Sequence, residues 1–196
     1  MGWHAPRQVF VSVGDGNILS GVWKGFQDLL AAGWIDAMPK LFGVQAEGSA
    51  ACYNAWQRAR ASGLPARVEP VEAHTIADSI SVGLPRDGTR AVRAVQETQG
   101  EFVLVSDQEI LSAMKTLASD AAVFAEPAGA AGFAGLQKAI RQHKVGSDET
   151  VVVIVTGNGL KDVPAAMQAA GAPLVIDPTM EALTNAIDER KLQPRS

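Results

Sequence analysis

The chain has a single cysteine, Cys52, a single tyrosine, and only 6% aromatic residues. A lone thiol cannot close an internal disulfide, and no Cys/His pair stands at zinc-ligand spacing. The sequence therefore suits a reducing compartment and carries no metal-site signature. Basic clusters are lacking as well. Lysine and arginine number 17 against 21 aspartates and glutamates, the net charge is −4, and the pI is near 5.4, which argues against nucleic acid as a partner. The longest purely apolar runs, 121–125 and 151–155, are of buried-strand length and far short of the roughly 20 residues that span a bilayer. Met1-Gly2-Trp3-His4-Ala5-Pro6 has no apolar core of signal-peptide length, and Pro6 stands where a myristoylation motif needs Ser or Thr. The expectation is a cytoplasmic protein with no membrane partner.

What is present is a globular pattern. With 196 residues, 47% hydrophobic and 19% charged, the chain can bury a core without staples, and it reads as one α/β domain over residues 1–196. Short β-branched runs at 9–13, 41–45, 102–105, 151–155 and 174–176 alternate with segments of helical period. Those segments are 18–32, 49–61, 107–118, 128–142, 163–170 and 179–189, with a further turn and helix within 83–100. Strands this short and apolar belong to an open, mostly parallel sheet with helices on both faces, a three-layer α/β/α arrangement. Asp107 ahead of Glu109, Asp162 ahead of Pro164, and Pro178-Thr179 ahead of Glu181 read as helix starts, and Gly33 and Gly171 as stops.

In such sheets ligands gather at the carboxyl ends of strands. Gly14, Asp15, Gly16 and Asn17 close an apolar strand and open a helix whose amides and dipole suit an anion such as phosphate; a plain turn with Asn17 as helix N-cap accounts for the same residues. Thr156-Gly157-Asn158-Gly159-Leu160-Lys161-Asp162 ends another strand, with a hydroxyl and two glycines that let a flat ligand lie close, or serve only to change direction. Glu126 precedes Pro127 at a helix start, where a charge–dipole contact is sufficient reason for it. Lys138, Arg141, His143 and Lys144 read as the solvated basic end of a helix. The scattered histidines, without a Ser or Cys in a nucleophile-elbow context, give no hydrolytic triad.

Together with Gly43-Val44-Gln45-Ala46-Glu47-Gly48 and Thr75-Ile76-Ala77-Asp78-Ser79-Ile80, these segments resemble, in order, those of the threonine synthases. These are pyridoxal 5'-phosphate enzymes of the tryptophan synthase β-like fold, fold type II. The resemblance runs from Trp3 to about Glu189. It implies lyase chemistry in threonine biosynthesis: O-phospho-L-homoserine and water give L-threonine and phosphate. It implies that Gly14, Asp15, Gly16, Asn17 and Ile18 cup the cofactor phosphate, with Asn17 also facing the amino-acid substrate. Thr156 then meets the pyridine nitrogen, and Glu126 lies near the same edge of the ring. Family members carry the Schiff-base lysine in an earlier segment, and none of Lys24, Lys40, Lys115, Lys138, Lys144, Lys161 and Lys191 matches it. The expectation is a C-terminal portion without its own catalytic lysine, whose partner is an N-terminal half or a second copy of the chain. The threonine and serine dehydratases, and a non-catalytic module that keeps the phosphate cup, are the competing readings.

Overall fold

The computed structural model describes residues 3–171 and 173–192; Met1 and Gly2 of the amino-terminal hexapeptide lie outside the described residues. Four strands, β1 (Gln8–Ser12), β2 (Lys40–Ala46), β3 (Phe102–Val105) and β4 (Val151–Ile154), form one sheet in the order β3-β2-β1-β4. All three pairings are parallel, with Val9 opposite Leu41 and Val152, and Gly43 opposite Phe102. The helices are α1 (Asn17–Ala31), α2 (Ala51–Ser62), α3 (Gly88–Glu97), α4 (Asp107–Ala121), α5 (Pro127–Arg141), α6 (Val163–Ala170) and α7 (Met180–Leu192).

Side chains along a strand alternate between faces, so each strand feeds two cores. Val9, Val11, Leu41 and Phe102 pack with Leu19 and Trp23 of α1, Trp56 of α2, and Val92 and Val95 of α3. Phe10, Phe42, Val44, Val103 and Val105 pack on the other side with Ile110 and Met114 of α4, Ala131 and Ala134 of α5, and Ala165 of α6. That division produces the expected three layers. Phe10 and Phe42 stack at 4.5 Å between centroids, a contact worth about 0.5–1.5 kcal/mol beyond its burial.

Residues 128–135, rich in alanine and glycine, fall in α5, which lies close on the centre of the sheet. A Cβ at Gly135 would come within 2.3 Å of Val44 Cγ2, and the Gly132 N–H donates to Ser12 Oγ at 2.9 Å. Cys52, on the inner face of α2, is fully buried, and burial, with the charge of Asp15 adding to it, pushes its thiol up to about 12.

Three expectations are corrected. Residues 174–176 are not a strand: Leu174, Val175 and Ile176 are exposed, with Val175 at 92%. Apolar, β-branched sequence marks a segment that gains from burial, but no strand among the described residues pairs with it, and β4 remains an edge of the sheet with Val152 44% exposed. The start of α4 is capped by Ser106 rather than Asp107, in a reciprocal capping box with Glu109. The basic end of α5 is not simply solvated. Lys138 and Arg141 both pair with Glu109, at 3.1 and 2.9 Å, and Lys144 pairs with Glu101 across to β3's entry.

Partial burial would raise the Glu109 pKa, but the Ser106 amide, Lys138 and Arg141 outweigh it and hold the carboxyl below its ordinary range. A carboxyl lowered on folding stabilises fully above its unfolded pKa, and the contribution fades as pH falls through the folded value. Glu109→Gln is expected to lose about 1 kcal/mol at neutral pH, with the gap to the parent closing in acid, as read by urea unfolding across pH. Gly43→Ala would drive a Cβ to 2.5 Å from the Phe102 ring, and the same unfolding assay should register about 1–3 kcal/mol of destabilisation.

Candidate active site at the sheet's switch point

β1 is followed in sequence by β2 on one side, while β4 lies on its other side, so the crossovers diverge at the carboxyl ends of β1 and β4. Loops leaving two adjacent parallel strands begin about 4.8 Å apart and open a crevice between them. There Gly14, Asp15, Gly16, Asn17, Ile18 and Thr156 line one cavity of about 200 Å³, joined by Ser12, Ser79, Ile80 and Ala128. The volume falls below the roughly 300–1,000 Å³ of a complete small-molecule pocket, as one wall of a larger site would.

The first loop is shaped by what packs behind it. Gly16 takes φ +93°, the left-handed conformation that favours glycine, and occupies the N-cap position of α1. Asn17 is therefore the first residue of the helix rather than its cap, and no side chain caps α1 at all. Side chains do cap α4, through Ser106, and α6, where Asp162 accepts from the Ala165 N–H, while α2, α3 and α5 share the uncapped start of α1. The leading turn of α1 presents its amides without an internal acceptor side chain, the electrostatics that suit an anionic ester.

Asp15 lines the cavity with its carboxylate already engaged by the protein. It accepts from the Arg86 N–H at 3.1 Å, while its backbone carbonyl accepts from the Asp87 N–H at 2.9 Å, tying the loop to the start of α3.

Gly14 lets the 3-10 turn Asp78–Ile80 approach: a Cβ there would stand 2.9 Å from Ile80 Cα. Ser49 holds that turn in place, donating to the Ile80 carbonyl at 3.0 Å and accepting from the Val82 N–H. Ser79 is thereby brought into the cavity, a residue that spacing could not single out, although it lies within one of the segments that carry the family resemblance. Ser12 was equally unmarked; its signal was its place at the end of a strand.

Thr156 comes from the loop after β4, and Glu126 from the residue before α5. Glu126 does not line the cavity. Its carboxylate, nearly buried, lies against Gly157 and pairs with Lys161. The structure thus brings six of the seven sequence-identified residues around one space and sets the seventh behind them.

A family model described as pyridoxal-phosphate dependent enzyme matches residues 1–157. The threonine synthase of Methanocaldococcus jannaschii is 35% identical over 189 residues, covering 96% of this chain and 46% of that protein. Those of Methanosarcina acetivorans and Mycobacterium tuberculosis are 37% and 38% identical, covering 93% and 89% of this chain and 44% and 46% of theirs. The chain spans somewhat under half the length of these curated relatives.

Among solved structures, threonine deaminase isoform 2 of Solanum lycopersicum superposes with a TM-score of 0.65 at 23% identity, over 85% of this chain and 45% of that one. Serine racemase of Dictyostelium discoideum gives 0.58 at 21%, over 79% and 44%. These two show the fold, the parallel α/β sheet of fold type II. With its sheet, its crevice and the matched residues in agreement, the chain belongs to the pyridoxal-phosphate dependent enzyme family.

Proposed function

We propose that the chain, as a single α/β domain over residues 1–196, is the C-terminal portion of a threonine synthase-type enzyme acting in the cytoplasm on O-phospho-L-homoserine and water to form L-threonine and phosphate. The observation that carries this reading is the shared cavity of the Gly14–Ile18 loop and Thr156, in a chain most similar in sequence, among the relatives described, to proteins named threonine synthase.

The residues present fit pyridoxal 5'-phosphate. The uncapped start of α1 suits its phosphate, the small residues Gly14 and Ala128 leave room for its ring, and Thr156 offers a neutral hydroxyl to the ring nitrogen. When bound, the cofactor supplies an electron sink for the carbon acid chemistry of an amino acid. The amides of Gly16, Asn17 and Ile18 would hold the phosphate ester; Asn17 would reach the substrate; Thr156 Oγ1 would donate to the ring nitrogen and leave it largely unprotonated, moderating the sink. The Schiff-base lysine and the proton-transfer base are assigned to an N-terminal half, carried by a separate polypeptide or by a longer form of the protein, with a second copy as the other candidate partner. The open outer edge of β4 and the exposed apolar 174–176 segment support that assignment, because both are surfaces that gain from cover.

A dehydratase reading draws on the likeness to threonine deaminase, but at 23% identity that likeness speaks to the fold alone. The two separate in one assay. The chain joined with a threonine synthase N-terminal half should release phosphate from phosphohomoserine and yield threonine; a keto acid formed from threonine would decide for the dehydratase, and neither product for a non-catalytic module.

For the chain alone, borohydride treatment with pyridoxal phosphate should leave no one lysine stoichiometrically labelled, and peptide mapping that finds a single labelled site would overturn the assignment. Gly16→Val, which forces a β-branched residue into the left-handed region against Ala91 and Asp87, should weaken both pyridoxal phosphate and inorganic phosphate at least tenfold in titration; unchanged affinities would count against the cup.

A further inference from the structure

Lys161 stands outside the cavity, yet its ammonium meets both oxygens of Glu126, at 3.1 Å from Oε1 and 3.0 Å from Oε2. Glu126 is the one carboxylate among the buried polar side chains of the described residues. A carboxylate taken out of water without a counter-charge is strongly unfavourable, so the pair has a reason to stay closed.

What it closes is the loop that carries Thr156. The Glu126 N–H donates to the Gly157 carbonyl at 3.0 Å, the Gly159 N–H donates to the Phe124 carbonyl at 2.9 Å, and Ala125 and Asn158 form an antiparallel bridge. The carboxylate lies so tightly on Gly157 that a Cβ there would fall 1.9 Å from Oε1. Lys161 sits in the 3-10 turn Gly159–Lys161 at the far end of the same loop, so its ion pair completes a ring of contacts that runs from Gly157 through the turn and back by way of Glu126.

We infer that Lys161 is a positioning residue: by holding Glu126 against Gly157 it locks residues 124–126 to 156–161 and fixes the approach of the Thr156 hydroxyl to the ligand in the cavity. Glu126 then acts through Gly157 rather than by touching the ring. The inference rests on the reading that Thr156 meets the ring nitrogen of pyridoxal phosphate, and the experiment separates the two.

The full chain is titrated with pyridoxal 5'-phosphate and with its 1-deaza counterpart, in which a CH replaces the ring nitrogen. The wild type is expected to favour the parent about tenfold, the scale of one hydrogen bond, and Thr156→Val to abolish that preference. Lys161→Met should abolish it too while leaving affinity for the deaza compound unchanged, and Lys161→Arg should retain it. Glu126→Gln, which keeps the shape and removes the charge, should behave as Lys161→Met. Lys161 is 61% exposed, so its replacement leaves the core intact. A wild type that binds neither compound, or both equally, overturns the cup or the Thr156 reading and takes the inference with it. A wild-type preference that survives in Lys161→Met and Glu126→Gln overturns the inference alone.

Discussion

The structure depends on one constraint of chain path: β1 must sit between β2 and β4, all running the same way. A parallel neighbour can only be reached by a crossover, and crossovers that diverge from a central strand leave a crevice at its carboxyl end. Everything assigned to ligand binding hangs on that edge. The loop after β1 and the loop after β4 are 140 residues apart in sequence, by comparison of Gly16 with Thr156, and a single lattice of backbone hydrogen bonds makes them neighbours.

The crevice is built mostly from backbone rather than side chains. Gly16 is left-handed, Gly14 yields room to the backbone of the 78–80 turn, and Gly157 yields room to a carboxylate; at each of these points a Cβ would crowd a neighbour. The charged residues in these loops are engaged by partners within the protein. Asp15, which lines the cavity, accepts from α3's leading edge, and Glu126 is held behind the cavity by Lys161, while hydroxyls, amides and apolar groups make up the rest of the lining. The leading amides of α1 give an anion its place in that lining, with the Asp15 carboxylate already accepting from the Arg86 N–H.

Much of this was legible in the sequence. The four apolar, β-branched runs that became β1, β2, β3 and β4 were found within one residue at either end, because a short run of consecutive apolar residues has no polar period to confuse it. Residues 174–176 carried the same composition and failed to pair, since composition records the tendency to be buried and says nothing of whether a neighbour is supplied. The helix starts at Asp162 and Thr179 were read from local rules, but Ser106 was missed, as a Ser followed three residues on by Glu is a cap that the Asp107-Gln108-Glu109 run obscures. Ser12 and Ser79 were invisible for a different reason. Their place in the cavity goes with long-range bonds that no local window contains, from Gly132 to Ser12 and from Ser49 to Ile80 in the turn that carries Ser79.

The burial of Cys52 has a practical corollary. Nucleophilic sulfur chemistry requires thiolate, and a thiol pushed to about 12 inside α2's packed face supplies almost none at neutral pH and no route for a reagent to reach it. Towards maleimides the folded chain is thus equivalent to a cysteine-free background, and one cysteine introduced on an exposed loop would accept a fluorophore at that position only.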